Sequence, residues 1–247
     1  MNASLTAVRL SPSALRFVVI AFITVAILSL LLWIERDFDQ GFLLAHNLFR
    51  DNPAVVALCG ALSHFGMSAI CLLLLACVAA SFRFSAFPEA RAVLLVVLFS
   101  FAAAALAGTL LKELLGRARP IAELAGQLNA AGGHGSPSFP SGHAAKSLAL
   151  ALPFALIVPA GSVVVRLVKL ALLLVASLVC YSRIVLGAHY LSDVLAGAAL
   201  AFACVPAGVA AANAMYARGK VTPEKLNAVV TRLTAVLLLL ALGLPFL

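Results

Sequence analysis

The chain is predicted to be all-α, a polytopic membrane helix bundle with six core transmembrane helices and a seventh at the C-terminus. Three observations lead there. Apolar residues make up 64% of the 247 and charged residues only 11%, and the mean hydropathy of +1.13 lies far from that of soluble domains. Apolar runs recur at the roughly 20-residue length that the hydrocarbon core of a bilayer demands of a helix. Lysines and arginines gather in alternate connections between those runs. Spans of this length with short loops use up the sequence, so residues 1–247 read as a single domain.

The first span covers Leu15 to Ile34, with Arg9 and Arg16 before it and Trp33 at its far end, where an amphipathic ring favours the interface. This places the N-terminus in the cytoplasm. The run is too long for a signal-peptide core and no small-x-small cleavage site follows, so it reads as a retained anchor. Glu35 to Asn52 mixes acids with Phe38, Phe42, Leu43, Leu44, Leu48 and Phe49, which suits either a short helix in the interface or a plain connection. The second span runs from about Ala54 to Phe82 and the third from about Ala92 to Leu115, with a turn at Phe87-Pro88 between them. Gly116 to Pro140 is the long polar loop, too rich in Gly, Ala, Ser and Pro to be one regular element. The fourth span runs from about His143 to Gly161, the fifth from Val164 to Leu186 and the sixth from Leu191 to Ala212. A seventh fits Ala228 to Leu247, with Arg232 near its start.

Threading these spans alternately collects Arg9, Arg16, Arg83, Arg91, Arg166, Lys169, Arg218, Lys220, Lys225 and Arg232 on the cytoplasmic side, against Glu89 and Glu224. The formal charge of +8 is therefore topological. No basic run with interleaved aromatics occurs, which excludes a nucleic-acid partner. Cys59, Cys71, Cys77, Cys180 and Cys204 all lie in apolar stretches without metal-ligand spacing, so neither a disulfide nor a zinc site is expected. The opposite side holds Lys112, Arg119, His143, Arg183, His189 and Asp193, all at span ends or in the long loop. Rare polar groups converging on one membrane face mark a site.

His189 and Asp193 stand at i and i+4, so on a helix they share a face and the carboxylate accepts one imidazole N–H. The other ring nitrogen is then presented as base or nucleophile. Arg183, shortly before, offers a planar fork suited to a pair of phosphate or carboxylate oxygens. Lys112 and Arg119 close the third span with a compact charge and a second fork. At the mouth of the fourth span come Pro140-Ser141-Gly142-His143: glycine lets backbone approach an anion, a helix N-terminus offers free N–H groups, and His143 is placed to give a proton to a leaving oxygen. Each piece also has a plainer reading, as interface anchors or a helix cap.

Taken together, Lys112 with Arg119-Pro120, then Pro140-Ser141-Gly142-His143, then Ser182-Arg183 with His189 and Asp193, resemble the signature of the type 2 phosphatidic acid phosphatase family, the lipid phosphate phosphatases that share a site with vanadium haloperoxidases. The resemblance implies a histidine-nucleophile phosphatase. His189 would attack phosphorus, held by Asp193, and His143 would protonate the leaving group and then activate water. Lys112, Arg119 and Arg183 would bind the phosphate oxygens, with Ser141 and the Gly142 amide assisting. Dense fixed positive charge is what a phosphoryl-transfer transition state needs, so neither metal nor other cofactor is expected. Lys146, His134 and Arg117 are candidate headgroup contacts. Glu113 and Glu123 read as loop surface, His46 and His64 as structural.

The expected substrate is a membrane lipid phosphate on the periplasmic side of a bacterial inner membrane: undecaprenyl pyrophosphate first, then phosphatidylglycerol phosphate, phosphatidic acid or a lipid A phosphate. A phosphotransferase passing a phosphoryl group from polyprenyl pyrophosphate to lipid A is the alternative within the family. A lipid or ion transporter is the alternative outside it, opposed by charges that sit at span ends without paired broken helices. A haloperoxidase is disfavoured because its relatives are soluble.

Overall fold

The computed structural model describes residues 8–47, 51–83, 90–128, 136–218 and 228. Its helices are α1 (Pro12–Ile34), α2 (Arg36–Asn47), α3 (Pro53–Arg83), α4 (Ala90–Leu115), the single turn α5 (Pro120–Glu123), α6 (Gly142–Ile157), α7 (Val163–Val185) and α8 (Leu191–Ala217). Local chemistry sets several of these starts. Ser11 accepts the Ala14 N–H with Pro12 in the first turn of α1, and Ser162 accepts the Val165 N–H at the head of α7. Among the described residues, α1, α3, α4, α7 and α8 are long and apolar enough to cross a membrane. The segment that reads as either interfacial helix or connection is a helix, α2, with Phe38 outward and a buried stripe of Asp39, Leu43 and Asn47. The seventh expected span, from Ala228 to Leu247, lies outside the described residues, as does His134.

The fourth expected span is shorter than its sequence suggests. It is α6, of 16 residues, about 24 Å long at 1.5 Å per residue, against a hydrocarbon core of about 30 Å. It is ringed by α3, α4, α7 and α8, and Ala144, Ala145, Ala149, Ala151 and Phe154 are fully buried or nearly so. A helix surrounded by protein does not have to match the bilayer. In contrast, α1 packs on α8 and α2, and exposes Phe17, Ile20, Ile27 and Leu30 outward, as a lipid-facing helix should.

The close approach of α8 to α6 depends on Gly197. A Cβ added there would lie 2.5 Å from the Ser141 carbonyl oxygen and 2.9 Å from the Ala144 Cβ. That contact lets the Ser141 N–H donate to the Asp193 carbonyl at 2.9 Å, joining the head of α6 to the head of α8. The C-terminal ends of α4 and α7 and the N-terminal ends of α6 and α8 thus meet at one end of the bundle, with α2 packed on α1, α7 and α8 beside them.

Candidate active site

At this end every cation and histidine of the three sequence stretches comes together. Lys112 feels the fields of Arg119, Arg183, Lys146 and Asp193, and His143 those of Arg183, Lys146, His189 and Arg119. Ser141 caps α6 without a side-chain hydrogen bond to its own helix. Its hydroxyl is buried and has no protein partner, as is also true of Arg183 Nε. Two donors buried without acceptors in the donor-rich part of a site are what an anion would satisfy. Gly142 stands between the ends of two lysines, with the Cε atoms of Lys146 and Lys112 at 3.9 and 4.0 Å from where its Cβ would be. Lys146, which the sequence leaves between headgroup contact and interface anchor, therefore faces the cluster.

The remaining donors hold the polar loop in place. Arg119 Nε donates to the Ser136 carbonyl and its Nη2 to Ser136 Oγ, both at 2.8 Å, while Nη1 reaches the Ala188 carbonyl at 3.4 Å. Lys112 donates to the carbonyls of Pro137 and, at 3.4 Å, Ser138. Arg183 is steadied by Ser63 of α3, which accepts from its Nη1.

His189 is 2% exposed. Its Nδ1 lies 3.3 Å from Asp193 Oδ2, as the spacing in sequence predicts. With Nδ1 turned to the carboxylate, Nε2 is the nitrogen left to meet a substrate. Burial pushes the imidazole down to about 4, and Arg183 and Arg119 oppose its protonation further, outweighing the pull of Asp193. At neutral pH the ring is uncharged, the form in which a histidine is a nucleophile.

Asp193 is held by more partners than its sequence spacing announces. Its Oδ2 accepts from the Tyr190 N–H at 2.9 Å and from the Ser138 hydroxyl, besides His189. Its Oδ1 accepts from Arg117 Nη1 at 2.7 Å. The other end of that guanidinium reaches Asp39 Oδ2 of α2 at 3.1 Å, and Asp39 takes both the N–H and the hydroxyl of Ser192. Arg117 lies between the rings of Trp33 and Tyr190, its Cζ 5.2 and 4.4 Å from their centroids. This corrects one expectation: Arg117 is buried behind Asp193 and does not meet a headgroup, because two carboxylates claim its fork. It corrects another for Glu123, which is no loop-surface residue. Its carboxylate accepts the Tyr190 hydroxyl at 2.7 Å and pairs with Arg36 at 2.7 Å. Burial, and then that contact, push the Tyr190 phenol up.

His46 Nδ1 lies 2.7 Å from the Phe42 carbonyl with its ring stacked on Phe42, and His64 meets Phe65 edge-on. Sequence reasoning missed Asp39, Ser138, Ser192 and Ser63. Only Asp39 had a readable signal: it shares the i, i+4, i+8 stripe of α2 with Leu43 and Asn47, the face a surface helix buries.

An apolar cleft of about 320 Å³ opens beside this cluster, between Phe22, Ala26 and Leu30 of α1, Leu111 of α4, and Ala196, Ala199 and Leu200 of α8. Phe139 and Pro140, the residues just before Ser141, also line it.

The profile of the PAP2 superfamily matches residues 93–220, which contain all the signature positions. No curated protein matches the chain significantly. Among solved structures, the crystal structure described as the first transmembrane PAP2 type phosphatidylglycerolphosphate phosphatase, from Bacillus subtilis, is 26% identical. It superposes with a TM-score of 0.59 over 77% of this chain and 93% of that one. With its family profile matched over half its length and its helices built to cross a bilayer, this chain belongs to the PAP2 superfamily, the type 2 phosphatidic acid phosphatases, and is an integral membrane phosphatase.

Proposed function

We propose that the protein removes phosphate from a lipid phosphate or pyrophosphate through a phosphohistidine formed on His189. The observation that carries this reading is the uncharged, buried imidazole of His189, turned by Asp193 and ringed by Lys112, Arg119 and Arg183. In the first step His189 Nε2 forms a bond to phosphorus as the bond to the leaving oxygen breaks, and His143, which takes up a proton as the anionic substrate offsets the cations around it, gives that proton to the oxygen. In the second, His143 takes a proton from water, whose oxygen bonds to phosphorus while the phosphorus–nitrogen bond breaks. His189 is restored uncharged and inorganic phosphate leaves. The three cations, with Ser141 Oγ and the Gly142 amide, stabilise the charge on the equatorial oxygens in both steps.

The cleft beside Phe139 and Pro140 supports a substrate with a hydrocarbon chain, because it leads from the lipid-facing side of α1 to the head of α6. Undecaprenyl pyrophosphate heads the candidates, followed by phosphatidylglycerol phosphate, the named substrate of the Bacillus subtilis protein, whose likeness to this chain supports it. The basic bias of the loops at the other end supports a periplasmic site in a bacterial inner membrane. Phosphate release by purified protein from a panel of these lipids, with and without EDTA, tests the reading and ranks the substrates. Release should persist in EDTA and be inhibited by vanadate. Ala199→Phe, which fills the cleft, should lower the ratio of lipid to soluble aryl phosphate turnover about tenfold or more. No release from any member of the panel would sink the proposal.

A further inference from the structure

We propose that Arg117 and Asp39 are positioning residues for the phosphoryl transfer: Asp39, from the interfacial helix α2, fixes the Arg117 fork, and Arg117 fixes the Asp193 carboxylate against His189. This rests on the reading of His189 as nucleophile and goes beyond it, since neither residue touches substrate.

The geometry is that of a relay with both ends anchored. Arg117 spends one nitrogen on Asp193 Oδ1 at 2.7 Å and the other on Asp39 Oδ2 at 3.1 Å. Asp39 is 0% exposed and Arg117 7%. Ser192 closes the ring: its hydroxyl receives from Arg117 Nη1 at 2.5 Å and donates to Asp39, to which its N–H also donates at 3.1 Å. The rings of Trp33 and Tyr190 fix the plane of the guanidinium. Because Arg117 holds Oδ1, the Oδ2 atom is the one presented to His189. A carboxylate free to rotate would share both oxygens with the ring, and the attack angle of Nε2 would spread.

Charge gives a second reason. As the phosphorus–nitrogen bond forms, the His189 ring becomes positive, and Asp193 must stabilise that charge while leaving the proton on Nδ1. Arg117 draws on the same carboxylate from behind and so limits its basicity, and Asp39 in turn offsets the charge of Arg117. The groups that face His189 and Asp193 are Arg117, Arg119, Arg183, Lys112, His143, Ser138 and the Tyr190 N–H, with Asp39 behind Arg117. Arg117 touches Asp193 itself, so its loss should change how readily His189 takes a proton.

The test is steady-state kinetics on a soluble aryl phosphate, with alkaline denaturing-quench trapping of labelled phosphoenzyme, for wild type, Arg117→Met, Arg117→Lys, Asp39→Asn and the double variant Arg117→Met with Asp39→Asn. The positioning role predicts a kcat about 100-fold lower for Arg117→Met and about 10-fold lower for Asp39→Asn, with KM within about threefold of wild type in both. Arg117→Lys should recover part of the loss, and the double variant should be no slower than Arg117→Met, because Asp39 acts through Arg117. The acid limb of the kcat profile should move upward in pH in Arg117→Met. If Arg117→Met does not fold, Arg117→Lys and Asp39→Asn still carry the test through kcat and KM. A folded Arg117→Met or Asp39→Asn with unchanged kcat, a loss confined to KM, or full multiplication of the two single effects would overturn the proposal. If wild type itself traps no phosphohistidine, the reading of His189 fails instead, and that outcome is visible before any variant is made.

Discussion

Behind the His189 ring each carboxylate oxygen of Asp39 and Asp193 has a donor supplied by the fold. In front of it the balance is reversed: Ser141 Oγ and Arg183 Nε are buried donors without acceptors, and Lys112 and Arg119 rest on carbonyls of the polar loop. In the first region every carboxylate oxygen is met without a ligand, and Arg117 Nε is the donor there that is buried without a partner, whereas the second region holds a surplus of donors that an anion would remove. The difference shows how one site divides its work. Orientation of the nucleophile is fixed by the folded chain, whereas charge to stabilise the transition state is held ready in groups with spare hydrogen-bonding capacity.

The sharpest way to break this comparison is to remove the residue that joins the two regions. His189→Ala should abolish turnover on every substrate and leave no alkali-stable, acid-labile label on the enzyme, since no phosphorus–nitrogen bond can form. Label still trapped in that variant would move the nucleophile elsewhere. Next in size is His143→Ala, which acts in front. Its penalty should track the basicity of the leaving group: about 100- to 10,000-fold on an alkyl phosphate, the range for a lost general acid, and much less on an aryl phosphate or a pyrophosphate. Initial rates on an alkyl and an aryl ester decide this, and equal losses on both would show that His143 is not the proton donor.

A third test addresses the back alone. The His189 pKa falls from 6.5 to about 4 in the folded protein. Between those values the unfolded chain holds the proton more tightly, so stability is greatest above pH 6.5 and falls as pH drops through the window. His189→Gln, which cannot titrate, should show a shallower fall in Tm between pH 7 and pH 5 than wild type, measured in detergent. Parallel curves would mean that the folded environment does not hold the ring uncharged.

Much of the bundle and the front of the site is legible in the sequence because both rest on signals that survive without a partner. Apolar runs of span length give α1, α3, α4, α7 and α8 within a few residues, since the bilayer imposes the same demand on each helix separately. Lys112, Arg119, His143 and Arg183 stand out because cations in such a chain are rare. The back is less legible because it is made of long-range pairs. Arg117 meets Asp39 across 78 residues and Ser138 meets Asp193 across 55, and a serine in a Ser- and Pro-rich loop announces nothing about what it touches. Arg117 is the instructive error: two residues from Arg119, it reads as another cation at the mouth, yet its guanidinium goes to the carboxylates of Asp193 and Asp39 while that of Arg119 goes to the Ser136 carbonyl. The shortness of α6 was hidden for a related reason, because burial by neighbours, and not composition, releases a helix from spanning.

The smallest expected effect lies at the seam between the two regions. Gly197 lets α8 pass so close to α6 that the Ser141 N–H bonds the Asp193 carbonyl. In Gly197→Ala the new methyl would meet a backbone oxygen at 2.5 Å and the Ala145 nitrogen at 3.0 Å. Neither atom belongs to a flexible side chain, so the helices must separate. Overpacking of this kind costs about 1–3 kcal/mol, set against a gain of up to about 1 kcal/mol from replacing glycine within a helix. The net loss of stability is therefore modest. The head of α6 moves with the backbone, however, and with it Ser141 Oγ and the Gly142 amide. The Arg117 relay is attached to the first turn of α8 and to α2, so it stays with Asp193 and His189. Gly197→Ala should accordingly raise KM for a phosphate ester, and the inhibition constant for vanadate with it, by a few-fold while leaving the yield of trapped phosphoenzyme at saturation nearly unchanged. A variant that lost phosphoenzyme and kept its vanadate affinity would reverse the assignment, placing α6 with the nucleophile and not with the phosphate donors.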